Sequence, residues 1–155
     1  MGVRIQAGDF DVSAELDALT AGRADAGAAV GAIASFVGLV RDVNQGASVG
    51  GMVLEHYPGM TERSIEAIVA EAGKRWKVLD ATVIHRIGPL APRDRIVLVA
   101  VAASHRGEAF AACEFIMDYL KTRAPFWKKE RTDQGERWVE ARASDDAAAE
   151  RWEKK

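Results

Sequence analysis

The sequence predicts an α+β fold: a mixed or antiparallel sheet with helices packed against it, plus a small C-terminal β-hairpin subdomain. Three observations carry that expectation. Residues 95–103, RIVLVAVAA, form an almost unbroken apolar run, as in a central strand buried on both faces. Ile65, Ile68, Val69, Ala72 and Trp76 keep helical spacing, with Glu62, Arg63, Glu66, Glu71 and Lys74 largely on the other side. Residues 126–141 read as strand, turn, strand, with Asp133-Gln134-Gly135 at the turn. A chain of 155 residues, 48% of them apolar and without linker composition or repeats, fits one domain over 1–155.

Taken in order, Val3 to Ile5 suits a first strand, and Ser13 can cap a short helix carrying Leu16 and Leu19. Ala21 to Gly31, rich in Ala and Gly, reads as a loop. Val30 to Arg41 has a β-branched and apolar middle, and its glycines disfavour a helix, so a strand is expected. Asp42 to Gly51 reads as a polar, mobile loop with Arg41 at its edge. Met52 to Tyr57 alternates as a strand, Pro58-Gly59 turns the chain, and Thr61 caps the helix that ends near Trp76. Ala81 to Ile87 and Arg95 to Ala103 are strands joined through residues 88–94. A further helix follows Ser104-His105-Arg106-Gly107 and ends at Lys121, with Phe110, Cys113, Met117 and Leu120 as its buried stripe. In the hairpin, alternation puts Phe126, Lys128 and Glu130 on one face and Trp127, Lys129 and Arg131 on the other. Ser144 caps a short polar terminal helix.

Composition narrows the function. A net charge of −2 provides no global attraction to nucleic acid or to an anionic membrane. The single cysteine, Cys113, rules out an internal disulfide framework and suits a reducing compartment. Its place on an apolar helix face favours a packed thiol over a nucleophile. The N-terminus has no signal-peptide apolar run, and no stretch approaches the ~20 apolar residues of a membrane span. The expected location is the cytoplasm.

Charge is nevertheless concentrated locally. Between residues 121 and 131, Lys121, Arg123, Lys128, Lys129 and Arg131 stand against one acid, Glu130. Such a cluster in an acidic background marks a seat for an anion. Lys121 lies beside the apolar stripe of its helix, so its amine either snorkels to water or enters a pocket that lowers its pKa. Pro125 stops the helix and holds Ala124 extended, which sets the angle at which Phe126 to Lys129 leaves. His105 and Arg106, at a strand end before a helix, form a second candidate anion seat.

Other chemistries find no support. His56, His85 and His105 lack paired ligand spacing, so no metal site is expected. There is no phosphate-binding glycine loop and no nucleophile elbow. Trp127 among cations permits single-strand nucleic-acid stacking, without the aromatic interleaving such binding needs.

LEHYPGM (54–60), VIHRIG (83–88), SHR (104–106), FIMDYLKTRAPFWKKE (115–130) and WVEAR (138–142), in this order, closely resemble the molybdopterin synthase catalytic (large) subunit family. The resemblance runs from about Phe36 to Trp152 and implies an α/β-hammerhead with an added β subdomain. It implies a sulfurtransferase that converts cyclic pyranopterin monophosphate to the molybdopterin dithiolene. The sulfur donor would be the C-terminal thiocarboxylate of a small ubiquitin-like subunit ending in Gly-Gly, and no cofactor of the chain's own is expected. By matching position, Lys121 and Lys128 would be catalytic, in proton transfer and in stabilising a tetrahedral intermediate. Arg41, His105 and Arg106 would line the pterin and phosphate pocket, with Lys129 and Glu130 beside it and Phe36 and Met117 as apolar wall. Arg142 would serve a neighbouring subunit's site, since the family pairs two large subunits flanked by two small ones. Leu39 stands where some members carry lysine, so no polar contact is expected there. A non-enzymatic module that docks a Gly-Gly tail is the alternative, with a single-strand nucleic-acid binder behind it.

Overall fold

The computed structural model describes residues 1–21, 29–140 and 142–153. Within them the elements run β1 (Gly2–Gln6), α1 (Val12–Ala21), β2 (Ala32–Leu39), β3 (Val43–Asn44), β4 (Ala47–His56) and α2 (Met60–Arg75). There follow β5 (Val78–Arg86), β6 (Gly88–Leu90), β7 (Arg95–Ala103), α3 (Arg106–Arg123), β8 (Phe126–Thr132), β9 (Gly135–Trp138) and α4 (Ala143–Glu153). Most of the loop expected over residues 21–31 lies outside the described residues.

The first sheet has the order β1-β5-β7-β2, and only β1 and β5 pair in parallel. β7 is central and buried from Ile96 to Ala103, because its apolar run meets helices on both faces. On one face α2 and α3 contribute Ile65, Ile68, Phe115 and Ile116 to the larger core. On the other, Phe10 and Leu19 from the α1 segment cover Ile84, Leu98 and Ala100. The fold is thus α+β with a mixed sheet, as expected.

The second sheet runs β3-β4-β8-β9, with β6 added to β4. Its inner face carries Met52, Leu54, Phe126, Lys128 and Glu130, so the period-two reading of the hairpin holds. α3 runs along the first sheet and delivers the chain, through Pro125, to β8 of the second. The functional region lies where the two sheets meet.

Several local expectations need correction. Residues 42–51 are not a loop: β3 and the start of β4 form a hairpin closed by Gln45 and Gly46, both at positive φ. α2 starts before Thr61, because Gly59 turns the chain at φ 82 and the Glu62 carboxylate accepts the Gly59 N–H at 2.6 Å. Thr61 is instead a fully buried tie: its hydroxyl accepts the Tyr57 N–H and donates to the Pro125 carbonyl, each at 3.0 Å. Phe110 does not belong to the buried stripe of α3, being 66% exposed near the helix start. Ser144 lies inside α4, whose amides Asp145 and Asp146 bond to the Arg142 carbonyl. That helix is not merely polar, since Trp152 is buried edge-on against Trp76 and Phe115. Cys113 is a packed thiol as expected, its pKa pushed up to about 11 chiefly by burial.

Candidate active site

A cleft of about 490 Å³ opens between the end of β2, the last turns of α3, the inner face of β8 and the start of α4. Arg41, Lys121, Lys128 and Arg142 bring positive charge to it; Phe36, Met117, Leu120 and Phe126 form apolar wall. Among the candidates named from sequence, Phe36, Arg41, Met117, Lys121, Lys128, Glu130 and Arg142 are brought together here.

Each side chain has a local cause. β2 shifts register against β7 between Gly38 and Leu39. Val40 is then held by its N–H to the Asp94 carbonyl at 2.9 Å and by Arg93 N–H to its own carbonyl at 2.8 Å, which leaves Arg41 at the cleft mouth. Gly38 matters because a Cβ there would meet a Val97 methyl at 2.8 Å, on the strand segment that carries Phe36. Lys121 leaves the last turn of α3, and Ala124, extended at φ −83 and ψ 128, ends the helix before Pro125. Because Thr61 fastens the Pro125 carbonyl, the kink, the end of β4 and the start of α2 are one unit.

The two lysines line the cleft from either side of that kink, near enough for Lys121 to act on Lys128. Lys128 is the more enclosed, and Lys121 is exposed toward the mouth, so the desolvated amine is Lys128 where the sequence pointed to Lys121. Burial, then the neighbouring charge of Lys121, lower the Lys128 pKa to about 8, against the opposing pull of Asp145 and Glu130. An amine with that pKa is a usable base near neutrality.

Glu130 is 3% exposed and fully partnered. It accepts hydrogen bonds from Asn44 Nδ2 at 2.8 Å and Arg137 Nε at 3.3 Å. Arg137 also donates to the Asn44 carbonyl at 2.8 Å, and Asn44 Oδ1 accepts from Arg142 at 3.0 Å. Glu130 is thus a buried anchor that, through Asn44, holds Arg142 at the cleft of its own chain.

Three candidates are placed elsewhere. Lys129 points to the outer face of the sheet, as strand alternation requires, paired with Glu136 at 3.0 Å and lying over Trp138. His105 and Arg106 are exposed at the start of α3 and do not line this cleft. The reason is length: 16 residues of helix separate His105 from Lys121, about 24 Å of rise.

The sequence reading missed Asn44 and His85. Asn44 lies in the polar, glycine-bearing stretch 42–51, whose composition reads as loop. His85 was weighed only as a metal ligand, yet it lines the cleft, 6% exposed, its ring stacked on Phe126 at 3.8 Å. Its shared side of the strand with Val83 was the available signal. Among the described residues, no group of three or more His, Cys, Asp or Glu side chains is placed to hold a metal, and no helix is long and apolar enough to cross a membrane.

Residues 5–123 match the family model described as MoaE protein. The chain belongs to the MoaE family. The MoaE relatives include the molybdopterin synthase catalytic subunit of Ralstonia nicotianae, 61% identical over 97% of this chain and 83% of the relative. The subunit of the same name from Pseudomonas aeruginosa is 58% identical and spans 99% of both chains. Among solved structures, the molybdopterin biosynthesis MoaE protein from Burkholderia ambifaria aligns with a TM-score of 0.82 at 58% identity, covering 98% of this chain and 97% of that one.

Proposed function

We propose that this chain is the catalytic subunit of a molybdopterin synthase. It transfers sulfur from the thiocarboxylated C-terminus of a small ubiquitin-like partner ending in Gly-Gly to cyclic pyranopterin monophosphate, forming the dithiolene. The observation that carries the reading is the lysine pair in one cationic cleft: an enclosed amine, its pKa lowered to about 8, and a second amine at the mouth. A module that only recognised a carboxylate tail would be served best by two fully protonated lysines. A lowered amine favours proton transfer, and so favours the enzyme.

In this reading the substrate phosphate lies against Arg41 and Arg142, whose guanidinium groups suit bidentate contacts. The partner's tail enters at Lys121. The tail's thiocarboxylate sulfur bonds to a side-chain carbon of the pyranopterin as an oxygen substituent leaves that carbon; with the sulfur still joined to the tail's acyl carbon, water adds to the acyl carbon and gives its proton to the Lys128 amine. The Lys121 ammonium faces the resulting oxyanion. Collapse breaks the carbon–sulfur bond: sulfur stays on the pterin as thiolate, and the tail leaves as carboxylate. Lys128 then returns its proton to solvent, and the sequence repeats for the second sulfur. Both reactants are anions and the sulfur arrives on the partner, so the chain contributes no cofactor of its own.

The working assembly in this proposal is a homodimer flanked by two small subunits, in the cytoplasm. Two observations support the dimer. β2 is the outer strand of its sheet and carries exposed Phe36 and Leu39 beside the cleft. His105 and Arg106, too far along α3 to reach their own cleft, are free to complete that of a second copy.

The test mixes the purified chain with a thiocarboxylated small partner and cyclic pyranopterin monophosphate. Dithiolene product is expected from the wild type. Lys121→Ala is expected to lose product while still binding the partner. Loss of partner binding, with no product from the wild type, would return the chain to a docking module.

A further inference from the structure

We propose that Trp152, near the far end of α4, is a positioning residue for the cleft: by docking that helix on α3 it holds Arg142 and Asp145 in the cleft wall. The inference rests on the reading of Arg142 as a contact for the substrate phosphate.

α4 depends on its docking. It has 11 residues, and a helix of that length is marginal in water unless its apolar side is packed. Its buried side chains are Ala149 and Trp152, and the indole is much the larger. The Trp152 ring meets Trp76 and Phe115 edge-on, with centroids 5.4 and 5.7 Å apart. Its Nε1 donates to an Asp118 carboxylate oxygen at 2.7 Å, and Arg151 donates to the same oxygen at 2.9 Å. The Trp152 carbonyl accepts from Arg75, at the end of α2, at 2.8 Å. This end of α4 is thus fastened to α2 and α3, the helices of the larger core.

The other end forms the site. Arg142 and Asp145 line the cleft, and about 15 Å of helical rise separates Arg142 from Trp152. The Arg142 carbonyl accepts the N–H of Asp145 at 3.0 Å and of Asp146 at 3.4 Å, so the first turn of α4 fixes the Arg142 backbone. The guanidinium reaches the second sheet through Asn44 Oδ1 at 3.0 Å. A hydrogen bond at the tip of so long a side chain does not hold its position unless the backbone is also held. The middle of the helix adds little, since Asp146, Ala147 and Glu150 are exposed and α4 packs on α3. α4 is therefore a strap from the helices of the first sheet to the second sheet. Undocking Trp152 frays it, and the turn that carries Arg142 and Asp145 frays with it.

Two substitutions separate this role from packing. Trp152→Ala removes the anchor, whereas Trp152→Phe keeps an edge-on ring and loses the indole donor. With thiocarboxylated partner and cyclic pyranopterin monophosphate, Trp152→Ala is expected to raise KM for the pterin roughly tenfold, with a much smaller change in kcat. Trp152→Phe should recover most of that rise. In an Arg142→Met background, where the phosphate contact is already gone, Trp152→Ala should add little. An unchanged KM in Trp152→Ala, or a full further rise on top of Arg142→Met, would overturn the proposal. A second measurement needs no turnover: amide hydrogen exchange at Asp145 and Asp146 in the wild type and in Trp152→Ala. Both amides are expected to exchange roughly tenfold faster or more in the variant, while Phe115 and Ile116 in α3 keep their protection. Unchanged exchange at Asp145 and Asp146 overturns the assignment. So does an equal loss at Phe115, which would make Trp152 a core residue and nothing more. Failure of the wild type to make product sinks the sulfur-transfer reading alone, since exchange is read without substrate.

Discussion

Lys121 and Lys128 line one cleft from either side of the break at Pro125, one amine exposed and the other enclosed. Two adjacent ammonium groups repel, and the cost falls on the one that has lost more water. Lys128 is thereby the amine with the lowered pKa, about 8.

Lys128→Met is expected to abolish turnover, by about 10²-fold or more for loss of a general base. The same change should raise thermal stability at pH 7 by about 1 kcal/mol, because it removes an enclosed cation with a like-charged neighbour. Single-turnover assays and melting curves on one preparation check both. A variant that is inactive and less stable would contradict the electrostatic account. Lys128→Arg should be nearly as inactive as Met, since a guanidinium stays protonated.

The rate of sulfur transfer should rise with pH, reach half its plateau near pH 8 and level off about a unit above it. The Lys128 pKa is lowered from 10.5 to about 8, so the base form grows as pH climbs through that value. A kcat–pH profile flat from 6 to 9 would rule out this amine as the base (on the order of the window set by its shift).

His85 makes a separate, thermodynamic prediction. Its pKa falls from 6.5 to about 3 on folding, so between those values the unfolded chain holds one more proton than the folded one. Stability is therefore lost as pH falls below 6.5, with a slope of up to about 1.4 kcal/mol per pH unit from this residue. Urea titrations at several pH values should show a shallower acid loss for His85→Phe than for the wild type.

Glu130→Ala should cost about 2–3 kcal/mol, because it leaves the buried Asn44 amide without its acceptor and removes the partner of part-exposed Arg137. Asn44→Ala should cost less, about 1–2 kcal/mol, and should raise KM more than it lowers kcat, as Arg142 loses its tether. Chemical denaturation and steady-state kinetics read the two effects independently.

Thr61→Val tests whether the kink is held from α2. Valine keeps the volume but loses the bonds to Tyr57 and Pro125, for about 1–2 kcal/mol. A reduced kcat is expected although Thr61 does not line the cleft. Full activity at lowered stability would show that Lys121 and Lys128 keep their places without the tie.

The sequence by itself determined the central strand, the amphipathic α2 and the facing of the β8 residues, because each follows from local periodicity that the backbone imposes. It also placed Lys121 and Lys128 about Pro125, since proline's ring restricts its neighbours wherever it stands. Tertiary structure decided what burial and long-range pairing decide. The β3–β4 hairpin was illegible because its short, polar strands gain their order from Glu130 and Arg137, far along the chain. Which lysine loses water depends on what closes over it, and periodicity is silent about that. His85 became a site residue only when Phe126, forty-one positions later, folded onto its ring.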